Sequence, residues 1–224
     1  MVYEGQKARV LFAGPLHAAQ SGISLENDGR LLFDYNQRLL EISLELNPKR
    51  ILVLGGGTMT LASSLAVALP GCSISVVEIN PLMIELARRY FNYRDSIQIK
   101  LVIANALDFV KQSEERFDLV IMDLYDNFTI PVKFRSPAFA AELSRLLTTD
   151  GLVVANCISA LEGPAAAPLT QLHAAFSRYI GAPRAIQADN LTRHWYSQNI
   201  LVLAAHKSQV KDELIKGYIE VDLV

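Results

Sequence analysis

The stretch Arg50–Glu78, RILVLGGGTMTLASSLAVALPGCSISVVE, carries the strongest structural signal in this chain. It reads as an apolar strand, a turn of three glycines, a helix, and a second strand that ends in a carboxylate. Gly55, Gly56 and Gly57 let the backbone turn sharply and approach a ligand, because no Cβ blocks the way. The following helix begins with free N–H groups, and Glu78 stands where a ribose diol can donate two hydrogen bonds. Together these parts predict a site for an adenosine-type nucleotide.

The same pattern allows a plainer interpretation. A glycine-rich turn between a strand and a helix can be only a tight turn, and Thr60 stands where a dinucleotide-binding fingerprint has its third glycine. A lone acid at a strand end is usually just solvated. An acid at the distance of Glu78 from a glycine turn is more often a ribose ligand, and this favours the nucleotide site.

Length and composition narrow the class of protein. A chain of 224 residues accommodates one α/β domain and a short appendage, and 51% hydrophobic with 20% charged residues is typical of globular proteins. The formal charge of −2, without any basic block, argues against a nucleic-acid partner. We find no apolar run of signal-peptide or membrane-spanning length, so we expect no membrane association.

Cysteine and histidine usage points to a cytoplasmic protein without a metal. Cys72 and Cys157 lie far apart in the sequence and form no CxxC pair, so we interpret both as buried reduced thiols. The four histidines have no metal-ligand spacing, and we therefore expect no metal site; they are His17, His173, His194 and His206.

Strands and helices alternate from residue 50 onwards. This alternation predicts an α/β fold with a doubly wound, mostly parallel, seven-stranded sheet, whose ligands bind at the carboxyl ends of the strands. Glu78, Asn105 and Asp123 all fall at such ends, so we expect them to converge on one site. The predicted strands are Ile51–Leu54, Ser73–Val77, Ile97–Ile103, Phe117–Met122, Gly151–Asn156, Arg184–Ala188 and Ile200–Ala204.

Residues 1–30 are predicted to form a small N-terminal β element, a β-hairpin, ahead of a nucleotide-binding catalytic domain at residues 31–224. Apolar runs at Arg9–Ala13 and Gly22–Leu25 are its candidate strands. The turn signals are Gly14-Pro15 and Asn27-Asp28-Gly29.

The segment FDLVIMDLYDN places Asp123 at a strand end and Asp126 three residues later. Two carboxylates this close can bind a cationic amine and take its proton, because mutual repulsion and partial burial raise the pKa of one of them. The alternative is that Asp126 caps the turn and Asp123 is an exposed strand end.

In these motifs the chain resembles the polyamine aminopropyltransferases, that is, spermidine synthases and spermidine-synthase-like proteins, over roughly residues 9–205. Several pieces match the family in order. They are Ala19-Gln20-Ser21 for its glutamine segment, Phe33-Asp34-Tyr35 for its Tyr-His-Glu region, Leu54-Gly55-Gly56-Gly57 for its glycine turn, Val77-Glu78-Ile79 for its ribose-binding strand end, Ala104-Asn105-Ala106 for its adenine clamp, and Asp123-Leu124-Tyr125-Asp126 for its catalytic loop.

The resemblance implies a Rossmann-like fold of the class I S-adenosylmethionine methyltransferase type. It also implies that decarboxylated S-adenosylmethionine is the co-substrate, that its aminopropyl group is transferred to a diamine such as putrescine, and that the protein is a homodimer associating through its N-terminal region. The implied cofactor-binding residues are Gly55, Gly56, Gly57, Glu78, Ile79, Asn105, Ala106 and Asp123.

The chemistry of these residues agrees with the resemblance. Attack on a carbon beside a sulfonium needs a neutral amine and therefore a base such as Asp123, whereas a metal is not needed. A dicationic acceptor needs carboxylate and amide ligands such as Asp126 and Gln20, with Tyr35 as a further polar wall that takes part in catalysis.

The chain departs from the family at several positions, among them Asn127 in place of the proline after the catalytic loop, and two of these departures keep other functions open. Thr58 stands where the family carries the aspartate that holds the aminopropyl ammonium, and Asn105 replaces the aspartate at the adenine amino group. Ordinary S-adenosylmethionine as co-substrate of a methyltransferase, or a non-catalytic relative that binds an adenosyl thioether, therefore remain alternatives. A nicotinamide dehydrogenase fits less well, because the third glycine is missing.

Overall fold

The computed structural model describes residues 1–13, 18–26, 31–126, 129–188 and 197–221. The predicted turns at Gly14-Pro15 and Asn27-Asp28-Gly29, together with His17, Asn127 and His194, lie outside the described residues. The strands are β1 (Val2–Glu4), β2 (Ala8–Ala13), β3 (Ala18–Ser24), β4 (Arg50–Leu54), β5 (Ser73–Glu78), β6 (Ile99–Ile103), β7 (Phe117–Met122), β8 (Leu147–Ser159), β9 (Arg184–Gln187) and β10 (Gln198–Ala205). The α-helices are α1 (Asp34–Leu46), α2 (Thr60–Ala68), α3 (Pro81–Tyr90), α4 (Ala106–Gln112), α5 (Pro137–Leu146) and α6 (Ala167–Tyr179).

The main sheet has seven strands in the order β6-β5-β4-β7-β8-β10-β9. Its neighbours pair in parallel except for β10, which runs antiparallel to both β8 and β9. The predicted mostly parallel, seven-stranded α/β sheet is therefore confirmed. The one reversed strand places the start of β10 at the same sheet edge as the carboxyl end of β8, with Asn199 opposite Ile158.

Helices cover both faces of this sheet, as a doubly wound fold requires. Alternate residues of β4 point to opposite faces. Ile51 and Val53 pack with α1, α2 and α3, whereas Leu52 and Leu54 pack with α4, α5 and α6. The central strands β4, β5 and β7 are therefore buried on both sides along most of their length.

Local sequence explains where several helices begin. The Asn80 side chain accepts a hydrogen bond from the backbone N–H of Leu82 at 3.1 Å, and Pro81 takes the first helical position of α3. Ser136 caps α5 in the same way, through the N–H of Phe139 at 3.2 Å.

Some predicted bounds differ for identifiable reasons. The strand predicted at Ile97–Ile103 begins only at Ile99, because the backbone turns at Ser96, whose carbonyl accepts from the N–H of Ile99 and whose hydroxyl accepts from the N–H of Gln98. β8 begins four residues before the predicted Gly151, in a polar stretch that apolar patterning does not identify as a strand.

The N-terminal element is larger than the predicted hairpin. β1, β2 and β3 form a three-stranded antiparallel sheet, because Val2–Glu4 adds a strand to the outer edge of β2. Leu11 and Ile23 of this sheet pack against Phe91 at the end of α3. Ser21 of β3 lies at the carboxyl edge of the main sheet, because its hydroxyl oxygen is 3.4 Å from where a Cβ on Gly57 would stand. Within the described ranges, no helix is long and apolar enough to cross a membrane.

Candidate active site

The glycine turn after β4 is held by its immediate surroundings. Gly55 has φ +93°, and a Cβ there would lie 2.1 Å from the backbone oxygen of Asp123. A Cβ on Gly56 would lie 2.7 Å from a methyl carbon of Val76. Gly57 has φ +50°, in the left-handed region that favours glycine. The turn therefore packs directly against the ends of β5 and β7 and leaves its outer side open.

Glu78, the last residue of β5, is 8% exposed and bridges this turn to the start of α3. One carboxylate oxygen accepts from the N–H of Gly57 and the other from the N–H of Asn80, each at 2.8 Å. Each carboxylate oxygen can accept a second hydrogen bond. The carboxylate is thus oriented by the backbone and retains capacity for a hydroxyl pair from a ligand.

A cavity of about 930 Å³ opens at this edge of the sheet. Every residue that the sequence assigned to a site lines it, although they come from six separate segments. Those residues are Gln20, Tyr35, Gly55, Gly56, Gly57, Glu78, Ile79, Asn105, Ala106, Asp123 and Asp126. The volume is adequate for an adenosyl ligand together with a small second substrate.

Asp123 lines the cavity, immediately after β7. The hydroxyl of Tyr35 donates to Oδ2 at 3.3 Å, and the amide nitrogen of Asn156 donates to Oδ1 at 3.1 Å. Burial raises the pKa of Asp123 to about 6, with the two hydrogen bonds opposing the rise and the negative charge of Glu78 adding to it. An acid with this pKa is ionised at neutral pH and still basic enough to accept a proton.

The reason for this pKa differs in part from the sequence-based one. The sequence predicts that mutual repulsion of Asp123 and Asp126 and partial burial raise the pKa of one of them. Burial is the main cause at Asp123, but the repelling negative charge comes from Glu78. Asp126 is exposed at the rim of the cavity, where its N–H donates to the carbonyl of Thr129 at 3.1 Å. Gln20, on β3, is also exposed at the rim. The two lie where an entering polar molecule would meet them.

The two departures from the family have different structural settings. Thr58 is 1% exposed, does not line the cavity, and its hydroxyl has no hydrogen-bond partner among the described residues. Asn105 caps α4, because its side-chain oxygen accepts from the N–H of Leu107 at 2.9 Å. That oxygen has a second lone pair, so the cap does not prevent it from accepting a hydrogen bond from a ligand.

Sequence reasoning missed two groups at this site. Asn156 lies in the apolar strand β8, is 1% exposed and contacts Asp123 directly. A polar residue near the carboxyl end of a buried strand was the available signal. Lys133, in the short 3₁₀ helix Val132–Arg135, also lines the cavity, and nothing in its local sequence distinguishes it from a surface lysine.

The cysteines and potential metal ligands lie apart from this chemistry. Cys72 and Cys157 are buried and form no disulfide, and burial raises the pKa values of their thiols to about 11 and about 12. In the part of the chain that the structure describes, no group of three or more His, Cys, Asp or Glu side chains is arranged to hold a metal ion.

Comparison with known proteins agrees with the motifs. The chain is 31% identical over 137 residues to a polyamine aminopropyltransferase of Vibrio vulnificus, covering 59% of this chain and 46% of that protein. It is 30% identical over 138 residues to an eEF1A lysine and N-terminal methyltransferase homologue of Drosophila melanogaster, covering 57% and 20%. The chain therefore spans less than half the length of either relative.

The solved structures establish the fold. A probable spermidine synthase from Corynebacterium glutamicum superposes with a TM-score of 0.78 at 19% identity, over 99% of this chain and 90% of that one. Together with a methyltransferase neighbour, this confirms the class I methyltransferase-like fold. Residues 33–163, more than half of the chain, match the family described as "Spermine/spermidine synthase domain". The chain belongs to the spermine/spermidine synthase family.

Proposed function

We propose that this protein transfers the aminopropyl group of decarboxylated S-adenosylmethionine to a small diamine such as putrescine. The observation that carries the proposal is the setting of Asp123, an oriented carboxylate with a pKa of about 6 that lines the cavity. A protonated amine must lose a proton before it can attack carbon, and this group is suited to take it.

The charges around the cavity support a cationic ligand set. The described lining carries four carboxylates and one ammonium; these are Asp34, Glu78, Asp123 and Asp126, with Lys133. Decarboxylated S-adenosylmethionine has a sulfonium and a tail ammonium, and a diamine adds further positive charge. The α-carboxylate of ordinary S-adenosylmethionine would instead add a negative charge to an acidic cavity.

In the proposed reaction the side chains act in a fixed order. Asp126 and Gln20 at the rim attract and bind the charged acceptor, and Asp123 takes a proton from its amine. The neutral nitrogen forms a bond to the carbon beside the sulfonium, the carbon–sulfur bond breaks, and its electron pair returns to sulfur to give a neutral thioether. Glu78, the glycine turn and the segment Asn105-Ala106 hold the nucleoside throughout, with Ile79 against it.

A coupled assay tests this proposal. Purified protein, decarboxylated S-adenosylmethionine and putrescine should yield spermidine and methylthioadenosine. Asp123→Asn keeps the shape but cannot accept the proton, so we expect turnover to fall about 10²–10⁴-fold. In the matched variant Asp126→Asn we expect a rise in KM for the amine that exceeds the loss in kcat, because only charge pairing is removed. Transfer at the wild-type rate by Asp123→Asn would contradict the assignment of the base.

Methyl transfer from ordinary S-adenosylmethionine is the second candidate function. Thr58 favours it, because a buried threonine outside the cavity does not supply the carboxylate expected for a tail ammonium. The similarity to an eEF1A methyltransferase homologue is in line with this.

Calorimetric titration with decarboxylated S-adenosylmethionine, ordinary S-adenosylmethionine and methylthioadenosine distinguishes the candidate functions. Tighter binding of ordinary S-adenosylmethionine, with methylation of an acceptor and no aminopropyl transfer, would overturn the first proposal. Binding of methylthioadenosine without turnover of either cofactor would favour a non-catalytic relative.

We also propose a homodimer in the cytoplasm. Buried thiols that remain protonated are compatible with a reducing compartment. The small N-terminal sheet packs one face against α3, and the exposure of Tyr3 on its other face supports association through that face.

A further inference from the structure

Asn156 is a polar side chain in an apolar setting. It lies near the carboxyl end of β8, is 1% exposed, and is paired across the sheet with the fully buried Leu201. Burying an amide without hydrogen bonds costs free energy, so its partners are informative. Its backbone carbonyl accepts from the hydroxyl of Tyr125 at 2.5 Å, which ties the strand to the loop that carries Asp123.

Only one half of the Asn156 amide is satisfied. Nδ2 donates to Oδ1 of Asp123 at 3.1 Å, whereas the buried Oδ1 of Asn156 has no hydrogen-bond partner among the described residues. A donor aimed at a carboxylate fits the ionised form of Asp123. When Asp123 is protonated, its carboxyl group is itself a hydrogen-bond donor and needs an acceptor. A rotation of the Asn156 amide by 180° would bring its unused oxygen to Asp123, where it can accept that hydrogen bond.

We infer that Asn156 is a positioning residue that serves Asp123 in both of its charge states, donating to the carboxylate and accepting from the carboxylic acid. The hydrogen bonding between Asn156 and Asp123 is independent of the proposed function, but its role in catalysis rests on that proposal. In that reaction the amide would hold Asp123 in place while the proton from the acceptor amine arrives on it. Asn156 lines the cavity but is only 1% exposed, so its amide would act on the reaction through Asp123.

The groups that face Asp123 allow the contribution of Asn156 to be isolated. Tyr35 on α1 donates to the other carboxylate oxygen, Glu78 on β5 repels the negative charge, and Asp126 follows on the same loop. The nearby Tyr125 and Cys157 have pKa values raised by burial, so both remain protonated near neutral pH. Substitution of Asn156 leaves all these groups in place.

Carbon-13 NMR titration of the Asp123 carboxyl in the ligand-free protein tests the inference. Asn156→Leu keeps the branching at Cγ, and it removes both the donor that stabilises the ionised form and the amide oxygen that would accept from the acid. The bond to the carboxylate is charge-assisted and therefore stronger than the bond to the acid, so we expect the titration midpoint of Asp123 to rise by about one pH unit, the difference between the two. Ser159→Ala is the matched control, because Ser159 lies on the same strand, is equally buried and makes its hydrogen bonds elsewhere. This control should leave the midpoint of Asp123 unchanged.

A second variant covers the case in which Asn156→Leu does not fold. Asn156→Asp keeps the shape and places a second carboxylate beside Asp123, so one midpoint of the pair should rise by more than about one unit. A midpoint for Asp123 that stays at the wild-type value in whichever variants fold would overturn the inference. Where transfer activity is present, the acidic limb of the kcat/KM profile should move with the NMR midpoint. A shifted midpoint in a protein without transfer activity would refute the proposed function and leave the role of Asn156 intact.

Discussion

At the scale of single residues, the properties of Asp123 follow from opposing contributions of its neighbours. Burial and the charge of Glu78 disfavour the ionised carboxylate, while hydrogen bonds from Asn156 and Tyr35 favour it, and burial dominates. At neutral pH the carboxylate of Asp123 is ionised, and its desolvation lowers the free energy of unfolding. A group destabilised in this way, lying in a cavity, is more typical of a functional site than of a structural one.

The raised pKa of Asp123 predicts how the free energy of unfolding depends on pH. The pKa of Asp123 is raised from 3.8 to about 6 on folding, so its contribution to stability is fully present below pH 4 and is lost as the pH rises through 6. Asp123→Asn removes the penalty, and we expect the ligand-free variant to be more stable than wild type by about 1–3 kcal/mol at pH 7. Denaturant unfolding at pH 4 and at pH 7 measures this. Equal stability differences at the two pH values would show that Asp123 is not desolvated as described.

Glu78 is expected to serve both the ligand and the turn. Glu78→Ala should weaken binding of methylthioadenosine at least about tenfold, because charge-assisted hydrogen bonds contribute roughly 1.5–3 kcal/mol each. It should also lower stability, since the N–H groups of Gly57 and Asn80 lose their acceptor. Calorimetry on the folded variant measures the first effect. Unchanged affinity would remove Glu78 from the ligand site.

At the scale of elements, the glycine turn shows why this site needs its particular backbone. Gly55→Ala meets two obstacles, a left-handed φ and a contact of 2.1 Å with the backbone oxygen of Asp123. Gly217 has a similar φ of +85°, but a Cβ there would have no described atom within 4 Å, so Gly217→Ala isolates the first obstacle. We expect Gly217→Ala to cost about 1–2 kcal/mol and Gly55→Ala distinctly more, with loss of ligand binding. Thermal unfolding of both variants measures the difference, and equal losses would contradict it.

The elements that could be predicted from the sequence are those set by local chemistry. The glycine turn occurs as expected, and local chemistry likewise sets the cap at Asn80 and the proline at the start of α3. The reversed direction of β10 and the third strand of the N-terminal sheet could not be predicted, because pairing partners far apart in the chain decide them. The same holds for Asn156 beside Asp123. Asn156 lies on β8 and Asp123 follows β7, so the two side chains meet only once these strands are paired.

At the scale of the whole molecule, the site depends on elements from both ends of the chain. β3 supplies Gln20 and Ser21 to the cavity, and β10 supplies Asn199 at the opposite wall. The three-stranded N-terminal sheet is therefore part of the site as well as an appendage. Contacts that hold the N-terminal sheet in place therefore also position one wall of the cavity.

This dependence leads to a prediction about assembly. Leu11 packs towards α3, so the alternate residue Val10 and its register partner Tyr3 lie on the other face of the sheet. Gly22 of that face packs against Leu32, whereas Tyr3 is 58% exposed. A small antiparallel sheet is marginal alone, and we expect a second copy of the chain to cover the exposed part of this face. Sedimentation velocity at micromolar concentration should give a dimer for wild type. Val10→Lys should give a monomer, since a charge is unfavourable in such an interface, whereas Val67→Lys, an exposed apolar position on α2, should leave the dimer intact. A monomeric wild-type protein whose N-terminal sheet is formed would rule out this mode of association.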